Sequence, residues 1–105
     1  MSYDLRIVAP DGIDAVRAAV ALAALGVESD GEEAVVERDG VVAQFLVAGG
    51  EIGIGVTAAG EGDGFRDVLE MVMRAAEAIG ARVVDEQLGV ELDRTNLDEA
   101  VRAFG

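Results

Sequence analysis

The chain has 105 residues, 51% of them hydrophobic, one tyrosine and no histidine, cysteine or lysine, and its 21 acids against eight arginines give a net charge of -13 at pH 7. That size and content fit one domain, 1–105, with a single aliphatic core, and they exclude a disordered acidic tail. The missing residue types exclude disulfides, thiolate zinc sites and the commonest acid-base and nucleophilic catalysts, so no cofactor and no catalytic residue is expected.

Residues 3–9 alternate around Leu5 and Ile7 and stop at Pro10, which predicts a first strand. No basic segment followed by an apolar stretch opens the chain, and its longest nearly apolar run, 18–27, is about half a bilayer span. The expectation is a cytoplasmic protein with no membrane segment. Asp11, with Asp14 three residues on, reads as a helix N-cap and Gly26 as a C-terminal stop, predicting a helix over about 12–25. Between Ile13 and Leu25 only Asp14 and Arg17 are charged. Ile13, Val16, Val20 and Ala23 are expected to face a sheet, leaving Leu22 and Leu25 on another side.

An acidic loop over 28–33 leads to three strands, 34–38, 41–48 and 51–58, separated by Asp39-Gly40 and Gly49-Gly50, both suited to tight hairpin turns. In the third strand Ile52, Ile54 and Val56 point one way and Glu51, Gly53, Gly55 and Thr57 the other. Two alternating glycines weaken a strand and point to close approach by a backbone, a sheet or a ligand. With Val42, Gln44 and Leu46 on the neighbouring strand, that bare face reads either as an interface or as a solvated sheet face. The run Gly53 to Ala58 has a dinucleotide-type glycine spelling but lies inside a strand and opens no helix, so it is no fingerprint.

The glycine-rich run 60–64 lacks the spacing of a calcium loop and reads as a connection to a second helix, capped by Asp63 and closed by Gly80. Arg66, Asp67, Glu70, Arg74 and Glu77 share one arc of it, opposite Phe65, Val68, Leu69, Val72, Ala76 and Ile79. Met71 and Met73 widen the apolar arc beyond what one sheet contact needs. Two short strands, 82–86 and 89–92, follow. Asp85, Glu86, Glu91 and Asp93 flank their turn, in a pattern suited at most to weak magnesium or calcium binding, and no metal site is assigned. Thr95-Asn96 caps a last helix, with Asp98 and Glu99 placed for capping boxes and Leu97, Val101 and Phe104 on one face.

The order β-α-β-β-β-α-β-β-α predicts an α+β two-layer sandwich, a ferredoxin-like antiparallel sheet with helices mainly on one face. Helices this apolar need cover, from the third helix or from a second subunit. The expectation is a non-enzymatic acidic protein acting through protein contacts, as a homodimer, with Leu22, Leu25, Met71 and Met73 on the helices and Gln44, Gly53, Gly55 and Thr57 on the sheet as contact residues. Its charge repels nucleic acid and anionic membranes and suits a cationic protein partner, although an ordinary soluble surface explains it equally. The alternative is a small-molecule binding or catalytic domain using the cleft between sheet and helices, with Tyr3, Arg6 and Asp85 as its polar groups.

The opening Tyr3-Asp4-Leu5 and the segment from Val84 to Asp93 resemble small uncharacterised bacterial α+β proteins. In those, a Tyr-Asp-Leu start and a late Tyr-Asp-Pro-Gln-x-Gly strand-turn frame the domain. Here Val84 stands for the tyrosine and Glu86 for the proline, and the similarity covers about a tenth of the chain. Some of those proteins are suspected toxin-immunity proteins, so the resemblance implies an α+β fold and immunity-type binding.

Overall fold

A computed structural model describes residues 2–27, 29, 32–58 and 64–104. Strand β1 (Ser2–Val8) leads to helix α1 (Ala15–Ala23), then to the meander β2 (Glu33–Arg38), β3 (Val41–Ala48) and β4 (Glu51–Ala58). Helix α2 (Gly64–Ala78), the hairpin β5 (Arg82–Asp85) and β6 (Val90–Leu92), and helix α3 (Leu97–Phe104) complete the chain. The six strands form one open sheet in the order β2-β3-β4-β1-β5-β6, every neighbouring pair antiparallel. The protein is therefore α+β.

Two-residue turns fix the register of the meander. Asp39 and Gly40, with φ of 47° and 81°, and Gly49 and Gly50, with φ of 61° and 77°, occupy the left-handed region at both central positions. That geometry matches the natural twist of a hairpin and aligns Phe45 with Ala34 on one side and with Ile54 on the other. Period-two alternation then sorts the side chains. Tyr3, Leu5, Ile7, Val36, Ala43, Phe45, Ile52, Ile54 and Val56 share one buried cluster with the inward residues of all three helices.

α1 begins later than the sequence suggests and presents a different face. Asp14, not Asp11, is the N-cap, its Oδ1 accepting the Arg17 N–H at 2.8 Å, while Asp11 pairs with the Arg17 guanidinium at 3.1 Å. Ile13 is buried as expected, and the inward face continues with Ala18, Ala21, Leu22 and Leu25, whereas Val16 is 73% and Val20 48% exposed and Ala23 is also outside. Alanines inward let α1 lie close to its neighbours, and the valines are turned to solvent.

α2 lies between the other helices and over the sheet, touching α1, α3, β2, β3 and β5. Three kinds of neighbour explain its wide apolar arc, with Phe65, Val68, Leu69, Val72, Met73 and Ala76 all buried. Its start is set by close packing, because a Cβ at Gly64 would overlap the Arg38 carbonyl. The expected cap at Asp63 lies outside the described residues. In α3, Asp98 does not serve a capping box but pairs with Arg66 of α2. The turn before it is held by Asp93, whose Oδ1 accepts the Thr95 and Asn96 N–H groups at 2.8 and 3.1 Å.

The open face of the sheet as a candidate interface

Side chains at the alternate positions of the strands point away from the helices and form a second, open face. Register aligns them in rows: Val84, Arg6, Gly53, Leu46 and Glu33 in one, and Asp4, Gly55, Gln44 and Val35 in the next. The two glycines sit at the middle of adjacent rows and remove the bulk that every neighbour supplies. The result is an open trough of about 420 Å³ floored by Gly53 and Gly55. Asp4, Arg6 and Glu86 stand on one side, and Gln44, Leu46, Val35 and Glu33 on the other.

These glycines are not demanded by backbone conformation, since neither lies at positive φ. Nor does packing against the described residues demand them. A Cβ at Gly53 would lie 3.8 Å from its nearest neighbour, the Leu46 carbonyl, and one at Gly55 would lie 4.0 Å from Asp4 Oδ1, both ordinary contact distances. Leu46 and Val35, beside them, are 51% and 53% exposed. An apolar wall next to a bare backbone floor is thus left uncovered by the described residues.

Among the described residues Arg6 is the only cation lining the trough, and it is already engaged. Its Nη1 donates to Glu51 Oε2 at 3.1 Å, and its Nε lies 2.5 Å from Glu86 Oε1 in an ion pair that lacks a hydrogen-bond angle. The Asp4 carboxylate has no hydrogen bond or ion pair among the described residues. Around the trough the electrostatics are those of surplus carboxylate.

No family model matches the chain, and no curated protein or solved structure matches it.

The expected contact residues divide between two places. Gln44, Gly53, Gly55 and Thr57 all lie on the open face, and Gln44 and the glycines line the trough. Leu22, Leu25 and Met73 are not available to a second subunit: they are 1%, 4% and 6% exposed within the single chain, and Met71 packs partly buried against the same core. Of the two expected sources of cover, a third helix or a second subunit, the single chain supplies it from its own neighbouring helices and sheet. The larger apolar side chains that α1 leaves open are Val16 and Val20.

Between sheet and helices the described side chains form one buried cluster, and Tyr3, Arg6 and Asp85 do not line a common cleft there. Tyr3 packs its ring edge-on against Phe65, with centroids 5.2 Å apart, and its hydroxyl donates to Asp85 Oδ2. Asp85 is fully buried, and its Oδ1 accepts the N–H groups of Gln87 and Leu88 at 2.9 and 3.0 Å. The carboxylate thus shapes the β5–β6 turn from inside. Burial and the neighbouring carboxylate push the Tyr3 phenol far above its ordinary pKa. Arg6 lies on the opposite face. Tyr3 and Asp85, 82 residues apart in the sequence, meet in the hydrogen bond between them.

The four carboxylates around that turn also point apart. Asp85 faces the core, Glu86 faces Arg6, Glu91 faces Arg82 at 3.9 Å, and Asp93 caps its own turn. No group of three metal-ligating side chains occurs among the described residues. Asp4, Glu33 and Val35 are not among the expected contact residues, although alternation in β1 and β2 places them opposite the core-facing residues, and Glu86 is expected only in the carboxylate group around the β5–β6 turn.

Proposed function

We propose that this is a non-enzymatic protein that works by protein contact, and that the open face of its sheet is the contact surface. The observation that carries this reading is the pair Gly53 and Gly55. Glycine inside a strand costs stability, and here the chain has room for larger residues. A floor kept bare where the fold does not need it is suited to a partner that must come close to the backbone. The exposed Leu46 and Val35 supply the apolar part of such a contact, and the charged groups around them supply a polar rim. The inner strand order β3-β4-β1-β5, with α1 and α2 in the connections, supports a ferredoxin-like reading in which β2 and β6 are added edge strands.

The test compares wild type with two variants, Gly53→Val/Gly55→Val on the sheet and Val16→Asp on α1. Proteins retained by the wild type from a lysate of the source cells are purified and rebound to all three. A purified partner that binds wild type and Val16→Asp but has lost affinity at least tenfold for the sheet variant is the expected result. Equal affinity for the sheet variant, or loss confined to Val16→Asp, would move the contact surface elsewhere.

A further inference from the structure

Resting on that reading of the open face, we infer that its occupant is a cationic protein segment that lays an arginine side chain across the glycine floor beside Asp4. Three observations on this face select the occupant. The first is charge complementarity: the face carries Asp4, Glu33, Glu37, Glu51, Glu86 and Glu91 against Arg6 and Arg82, on a chain of net charge -13. An anionic ligand would need Arg6, and Arg6 is held between Glu51 and Glu86, so both ion pairs would have to open first. A second copy of this chain would bring the same acid surplus against itself.

The second observation is shape. Without Cβ atoms at 53 and 55 the floor is bare peptide, and a planar, weakly hydrated guanidinium lies flat on such a surface at lower desolvation cost than a compact ammonium. The third is the Asp4 carboxylate, which leans to within 4.0 Å of the Cβ position of Gly55 and has no hydrogen bond or ion pair among the described residues. It offers two oxygens at the edge of the floor to the guanidinium fork. Leu46 and Val35 then take the apolar neighbours of that arginine, alternating as an extended segment would present them.

Amide chemical shifts of isotope-labelled protein, titrated with three short peptides that alternate valine with arginine, lysine or glutamate, test this directly. The arginine peptide is expected to shift the Gly53 and Gly55 amides saturably. The lysine peptide should bind at least about threefold more weakly, and the glutamate peptide should leave these amides unmoved. Asp4→Asn should weaken the arginine peptide by about threefold, the scale of an exposed charge pair, and 0.5 M salt should weaken it further. Gly55→Val, checked for an unchanged fold by its remaining amide spectrum, should abolish the shifts. Absence of saturable shifts at Gly53 and Gly55, or equal binding of the lysine peptide, overturns the inference. So does a concentration-dependent dimer that Gly53→Val/Gly55→Val dissolves, and that result would leave the contact-surface reading standing with a second copy as occupant.

Discussion

Tyr3 is the residue whose chemistry can be isolated most cleanly. With no lysine and no cysteine in the chain, and arginine charged throughout, it is the only side chain with an ordinary pKa between about 8 and 12. Its folded-state pKa is raised by burial first and by Asp85 second, so the folded protein favours the neutral phenol. A raised pKa gives stability that is complete below the unfolded value near 10 and is lost as pH rises toward the folded one. Urea midpoints should therefore hold level from pH 9 to about 10 and fall from there to pH 11.5. In Tyr3→Phe that alkaline fall should disappear. The same variant leaves Asp85 Oδ2 without its donor and should cost about 1–3 kcal/mol at pH 7. An alkaline decline of equal slope in both proteins would assign it to something other than Tyr3.

Elements in this protein are positioned by close backbone approach as much as by side-chain bulk, and Gly64 is the sharpest case. Gly64→Ala drives a methyl into the Arg38 carbonyl and should displace the start of α2, costing at least about 1–3 kcal/mol in urea unfolding. An unchanged midpoint would mean that α2 can retreat from β2 freely. Arg17 fastens the other end of the helix layer, donating to the Gly12 and Ile79 carbonyls at 3.0 and 2.6 Å. Neither tie was legible in the sequence, because both depend on where α2 crosses the sheet. What was legible followed from period and turn chemistry: the meander from its two glycine turns, and the outward glycines of β4 from strict alternation. Ile13 is buried as its position predicts, but the rest of the inward face of α1 follows side-chain size rather than hydrophobicity. In a tight layer the small alanines are the residues that fit, and Val16 and Val20 go outside. The wide apolar arc of α2 was legible, but its cover was not, since a sequence does not say whether a neighbour is in the same chain.

At the scale of the whole molecule, a charge of -13 on 105 residues opposes the compact state, and the six ion pairs among the described residues offset little of that because most are exposed. Raising salt from 10 mM to 0.5 M should therefore raise Tm, and a fall would mean that the ion pairs outweigh the self-repulsion. No helix among the described residues is long and apolar enough to cross a membrane. One sheet face is spent on three helices, and the other stays open around two glycines that the fold does not require. That claim is tested most directly by the unfolding free energy of Gly53→Val/Gly55→Val. Filling an open strand position should leave stability unchanged or raise it by about 0.5–1 kcal/mol per glycine. A variant that is destabilised by more than about 1 kcal/mol would show that the fold itself needs the bare floor, and would remove the reason to read the trough as a contact surface.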